Sequence, residues 1–272
     1  SRLSHTPHIT ISLTRTISEG TLTEREAVIM NIFLLSLFPA LLMSPGVYTL
    51  SCNSDATYEL ELFDTWTSEN HPNDFPGGAA HLSQLFGASH SPLYTMWAPG
   101  ILATTGVQRV AEVGFNSPIK QEAEASGASL QTQNAPVNTL TLAVDANHSL
   151  LSAIYMIAPS PDWFSGVRDV DLCDHVSGQW IDMLEMTSQP YDSGTDCGTT
   201  YFSSNCVEDP KINVFEITPS STSEGNDGPI FVKDNTVLPV ASWRFYRVGS
   251  TPSPSAAPTT EHSCFEIISK TG

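Results

Sequence analysis

The chain has 272 residues, 40% of them hydrophobic, enough to build a core in one large domain or two small ones. With 11 Lys and Arg against 29 Asp and Glu, its formal net charge of −18 has the wrong sign for gripping nucleic-acid phosphates. The same balance suits solubility and cation binding, with plain colloidal stability the simpler account of it.

Residues 1–29 carry neither an initiator Met nor a sustained periodicity and are set aside as upstream or leader sequence, outside the fold. From Met30 the run MNIFLLSLFPALLMSPG has the apolar length of a signal-peptide core and closes on the small residues Ser44 and Gly46, so 30–46 reads as a secretory signal. Pro39, Pro45 and Gly46 interrupt it before the ~20 apolar residues of a membrane span are reached. The competing reading is a buried helix, because no Lys or Arg follows Met30 within the run. Five cysteines in a secreted chain imply an oxidising compartment, at most two internal bridges and one thiol left over, for which Cys264 is the candidate.

The segments ATYELELFDTW (56–66), SPLYTMWA (91–98), VNTLTLAVDA (137–146), LLSAIYMIA (150–158), KINVFEITP (211–219) and VLPVASWRFYRV (237–248) alternate or carry β-branched and aromatic residues, and predict strands. Helical periodicity surfaces only in GVQRVAEVG (106–114) and QWIDMLEMT (179–187). With 19 prolines and 17 glycines as punctuation, the expected fold is all-β, an antiparallel β-sandwich with a few short helices over 47–249. Residues 250–272 are a Pro/Ser/Thr-rich tail without the apolar content of a core. The sequon at Asn147 falls between two predicted strands, where a hairpin turn would give a glycan access.

Two turns gather carboxylates. Asp162 follows Pro161 in APSPDWFSGV, with Trp163 and Phe164 to pin the turn to a sheet. Asp192 and Asp196 flank Ser-Gly-Thr in PYDSGTDCG, where Gly194 lets the backbone fold sharply. Carboxylates 4 Å apart repel by roughly 4 kcal/mol at an effective dielectric of 20, so converging acids call for a counter-charge. Oxygen-only ligands favour Ca2+ or Mg2+ over zinc, and calcium tolerates irregular coordination. The plainer alternative is that Asp162 and Asp192 cap turns while Asp196 faces solvent. Cys197 and Cys206 lie nine positions apart around GTTYFSSN, close enough to bridge locally if their Cβ atoms face each other.

From Cys52 to about Val248 the chain resembles the spondin domain, the N-terminal module of F-spondin and mindin. The resemblance rests on YELELFDTWTSENHPNDFP, AHLSQLFGASHSPLYTMWAPG, GVQRVAEVG, SAIYMIAPSPDWFSGV, DLC and PYDSGTDCG, in the family's order. It implies a sandwich like that of calcium-dependent phospholipid-binding modules, with Ca2+ held by Asp162, Asp192 and Asp196 in loops at one end. It also implies a bridge between Cys52 and Cys173. Cys197 departs from the small residue usual after GTD, so its pairing with Cys206 does not come from the family. Thrombospondin type 1 repeats, which larger members append, do not occur in these 272 residues, and functions that depend on them are not carried over.

The other residues point away from catalysis and zinc. His71, His81 and His90 offer no ligand pair at metal-binding spacing. GASHS lacks the final glycine of a nucleophile elbow, and no ordered Ser, Asp and His set accompanies it. The five tryptophans spread through strand and turn segments as anchors, and the scattered arginines form no heparin patch. The expectation is a secreted, calcium-binding, non-catalytic module of cell adhesion or the extracellular matrix, with a matrix or cell-surface protein as partner. The alternatives are an acidic matrix component sequestering calcium in mineralised tissue and calcium-bridged binding to membrane lipid.

Overall fold

The computed structural model describes residues 50–135 and 138–250; the leader, signal-peptide and tail assignments, and Cys264, lie outside them. In chain order the elements are β1 (Ala56–Asp64), β2 (His81–Leu82), β3 (Leu85–His90), α1 (Thr105–Val113), α2 (Ser117–Ala125), β4 (Ser129–Ala135), β5 (Thr139–Val144) and β6 (Leu150–Ala158). They continue with β7 (Trp163–Asp171), β8 (Cys173–Asp174), β9 (Gln179–Trp180), β10 (Met183–Ser188), β11 (Tyr191–Asp192), β12 (Phe215–Glu216), β13 (Val232–Lys233), β14 (Thr236–Val237) and β15 (Ala241–Arg247). One sheet runs β10-β15-β1-β5 and a second runs β12-β11-β7-β6-β3-β4, with β2 beside β6; all pairings are antiparallel. The architecture is the all-β sandwich that the alternating segments predict.

The burial pattern explains which segments announce themselves. In β1, Tyr58, Leu60 and Leu62 turn into the core while Glu59 and Glu61 face outward, so one face of the first sheet is covered. In β6, eight successive residues from Leu151 are buried, because the second sheet is covered on both faces. One face meets the first sheet through Leu151, Ala153, Tyr155 and Ile157, packed with Leu140, Leu142, Trp243 and Phe245. The opposite face carries Phe86, Ala88, Ile154 and Phe164 beneath α1 and α2, which contribute Val107, Val110, Ile119 and Ala123.

The two helices pack so closely that a Cβ on Gly106 would lie 2.6 Å from the Ile119 Cα. Glu122 of α2 reaches the first turn of α1, accepting from the Gly106 amide at 2.7 Å and from the Thr104 hydroxyl at 2.7 Å, where a carboxylate complements the unpaired amides of a helix start.

Two local expectations need correction. Residues 91–98 form turns, and their aromatic density serves the helical layer: Tyr94, Met96 and Trp97 are buried beside Phe86 and Phe164. The segment 179–187 is not helical. It supplies β9 and β10, because Leu184 and Met186 turn inward while Met183, Glu185 and Thr187 turn out, a period of two that outweighs the helical reading. No helix among the described residues is long and apolar enough to cross a membrane.

Candidate metal centre

The Asp162 turn and the Asp192 turn meet because β11 pairs with the start of β7, setting Asp192 opposite Trp163. The Ser193 amide then donates to the Asp162 carbonyl at 3.2 Å. Trp163 is fully buried against Tyr201 and Phe231, and its indole N–H donates to Asp192 Oδ2 at 3.1 Å, so a core aromatic aims one of the acids.

Gly194 has φ +70°, and a Cβ there would fall 2.4 Å from the Ile212 carbonyl oxygen, which is why glycine occupies the sharp point of the turn. Asp196 forms an isolated bridge with Val207, at the mouth of the loop closed by Cys197 and Cys206. That pair is bonded, with Cα atoms 5.1 Å apart, and so are Cys52 and Cys173, at 5.8 Å.

The carboxylates are buried and densely bonded. Asp162 Oδ2 accepts from the Thr195 amide at 2.8 Å, the Ser193 hydroxyl at 2.9 Å and the Asp196 amide at 3.1 Å. Asp192 Oδ1 accepts from the Gly194 amide at 2.8 Å. Asp196 Oδ1 accepts from the Gly198 amide at 2.8 Å and Oδ2 from the Cys206 amide at 2.9 Å. The sequence does not mark Ser193, Thr195 and Trp163 as hydrogen-bond donors to the acids. The one signal it carries for them is the alternation of hydroxyl residues with Asp in DSGTD.

Asp162 is wholly buried, and its Oδ1 has no hydrogen-bond partner. Burial raises its pKa above the usual carboxylate range, against three bonds that lower it, and the neighbouring Asp196 charge raises it further. Asp192 is pushed up to about 7, first by burial and then by the charge of Asp162. Asp162 and Asp192 therefore share one buried environment in which burial and neighbouring carboxylate charge both oppose ionisation.

No group of three or more His, Cys, Asp or Glu side chains among the described residues is gathered as a ready-made metal cage. The aspartates nonetheless fit a hard cation, because every donor is oxygen and a buried carboxylate oxygen lacks a partner.

The histidines serve separate local bonds. His71 Nε2 donates to the Leu238 carbonyl at 3.0 Å, His81 Nδ1 to the Ala79 carbonyl at 2.8 Å, and His90 lies buried on β3. Asn147 is exposed in the turn joining β5 to β6, with its amide donating to Asp145 Oδ1 at 2.8 Å.

The family model described as Spondin_N matches residues 56–239, from the start of β1 to just before β15. Spondin-2 of Rattus norvegicus is 31% identical over 245 residues, covering 85% of this chain and 74% of that protein. Spondin-2 of Homo sapiens is 33% identical over 220 residues, covering 76% of this chain and 66% of that protein. Spondin-1 of Rattus norvegicus is 34% identical over 192 residues, covering 65% of this chain but only 23% of the longer relative. The matched region thus spans about a quarter of spondin-1 and about two thirds or more of spondin-2.

Proposed function

This chain belongs to the Spondin_N family, and from that membership we propose that it is a calcium-binding, non-catalytic adhesion module that engages a matrix or cell-surface protein. Like its relatives it is a secreted protein of the extracellular matrix. The observation that carries the calcium part is the unpartnered, buried Asp162 Oδ1 beside two further buried carboxylates.

Asp162, Asp192 and Asp196 would hold the ion, which supplies the positive charge that buried carboxylates otherwise lack. The chain's own contribution is rigidity. Trp163 and the Gly194 amide fix Asp192 from the core and the turn, the Thr195 and Asp196 amides fix Asp162, and the Cys206 amide fixes Asp196 from the disulfide loop. Around them Phe202, Val207 and Ile212 are exposed, an apolar rim of the kind that marks a protein contact. Asn147 is the proposed glycan acceptor.

The test is the calcium dependence of thermal stability in wild type and Asp192→Asn. At a hundredfold excess over Kd, calcium stabilises by about 2.7 kcal/mol, which in a domain of this size raises Tm by about 5 to 10 °C. Wild type should show that rise, and Asp192→Asn should lose most of it while losing little in chelator, where relief of the repulsion with Asp162 offsets the one of its two accepted bonds that Asn cannot keep. Equal losses with and without calcium would reject the site. Many weak ions insensitive to Asp192→Asn would instead favour a charge-driven mineral role, for which the net charge of −18 is the supporting observation.

A further inference from the structure

We propose that the Cys197–Cys206 disulfide makes the cation affinity of the Asp162, Asp192 and Asp196 turn redox-dependent, because the bridge holds Asp196 in place. The inference rests on the calcium reading above. Asp196 is the one acid of the three whose side-chain bonds come from within the bridged loop, from the amides of Gly198 and Cys206. Asp162 and Asp192 take theirs from Ser193, Gly194, Thr195, Asp196 and Trp163, all outside it.

The ends of the loop are joined by the bridge and by the Cys197 amide, which donates to the Cys206 carbonyl at 2.6 Å. Its middle is anchored by Tyr201, buried against Trp66, Trp163 and Phe231, while Phe202 is exposed. Gly198 sits so close to the Asp162 turn that a Cβ would lie 2.8 Å from the Pro161 ring and 2.9 Å from Asp196 Oδ1. A small rearrangement of residues 197, 198 and 206 therefore moves the Asp196 carboxylate directly.

The two bridges of the molecule differ in access. Cys52 and Cys173 are 1% and 5% exposed, whereas Cys197 is exposed and Cys206 half-buried, so a reductant in solvent meets the second bridge first. A dithiol reduces it by thiolate attack on one sulfur, cleavage of the Sγ–Sγ bond and closure of the reductant's own disulfide. Two electrons and two protons pass to Cys197 and Cys206, which become thiols. Opening so short a ring frees its ends, so that calcium must order Asp196 itself; ordering about one residue costs on the order of 1 to 2 kcal/mol, a fall in calcium affinity of roughly tenfold.

Calorimetric titration of calcium into the purified secreted protein tests this in three states: oxidised, treated with dithiothreitol at neutral pH, and Cys197→Ser/Cys206→Ser. Alkylation and mass spectrometry identify the reduced state by a gain of two modified cysteines over the oxidised protein. The expected result is an affinity about tenfold weaker in the reduced protein and in the double variant than in the oxidised protein. Affinities within twofold across the three states overturn the redox coupling and leave the calcium reading standing. No binding by the oxidised protein overturns the calcium reading, and this proposal with it. If the double variant does not fold, the comparison of oxidised with reduced wild type decides.

Discussion

His90 shows how one buried polar side chain organises a sheet. Its Nδ1 faces the Ser91 carbonyl at 2.9 Å, an acceptor only, so Nδ1 carries the proton. Nε2 of the neutral ring then accepts from the Ser152 hydroxyl at 2.8 Å, which leaves the Ser152 oxygen to accept from the Asp169 amide at 2.9 Å. Between the pairs Leu151–Val170 and Ala153–Val167, the single Ser152 faces both Arg168 and Asp169, and Asp169 has φ +50°: a β-bulge stabilised by the histidine. Burial pushes the His90 pKa below its ordinary value, against the opposing pull of the Ser91 carbonyl and the Asp169 carboxylate, with His148 also lowering it. The folded protein therefore resists a proton that the unfolded chain accepts. The stabilising contribution is complete above the unfolded pKa of about 6.5 and is lost as pH falls below it, with a slope of up to about 1.4 kcal/mol per pH unit. Denaturant midpoints between pH 7.5 and 5.5, in saturating calcium, should fall more steeply for wild type than for His90→Gln, which cannot titrate. Parallel slopes would place the proton elsewhere.

At the scale of the element, the edge of β5 is closed by side chains. Gln133 Oε1 accepts from the Thr141 amide at 2.6 Å and Gln131 Oε1 from the Ala143 amide at 2.7 Å, so β4 of one sheet caps the unpaired edge of the other. An open edge is a template for strand pairing between molecules. Gln131→Ala/Gln133→Ala should cost about 1 to 2 kcal/mol in denaturant midpoints and increase self-association in light scattering. Glutamate at both positions keeps the acceptors and should scatter light as the wild type does. None of this is visible in SLQTQNA, whose polar composition does not announce a strand. The legible strands are those whose pattern has one dominant cause, such as the alternation in β1 or the unbroken apolar run of β6. β3, β4 and β7 escape because Gly87, the glutamines and Gly166 answer to neighbours distant in sequence: a Cβ on Gly166 would lie 2.0 Å from the Ala153 carbonyl oxygen. The site divides the same way. The three aspartates can be named from their turns, whereas the grip of Trp163 and the Cys206 amide depends on the β7–β11 pairing and on the bridge closing.

Across the whole molecule, Cys52 and Cys173 tie the segment entering β1 of one sheet to the ribbon that follows β7 of the other, over a separation of 121 residues. The ribbon of β8 and β9 reinforces the tie. The Trp180 indole N–H donates to the Ser54 carbonyl at 2.7 Å, and the Leu50 amide to the His175 carbonyl at 2.9 Å. Closing so long a loop in the unfolded chain is worth about 4 to 5 kcal/mol in the chain-entropy treatment, compared with about 2.5 to 3 kcal/mol for a ring of about ten residues such as that between Cys197 and Cys206. The larger bridge should therefore govern global stability, while the smaller one governs the aspartate turn. Cys52→Ala/Cys173→Ala should lower Tm by about 10 to 20 °C, equally in calcium and in chelator. The increment that calcium adds should survive, because none of the three aspartates takes a side-chain hydrogen bond from that bridge or its ribbon. Differential scanning calorimetry with and without calcium separates the two roles. A variant that loses the calcium increment together with its stability would show that the site and the long-range tie form one cooperative unit, contrary to the separation argued from their bonding partners.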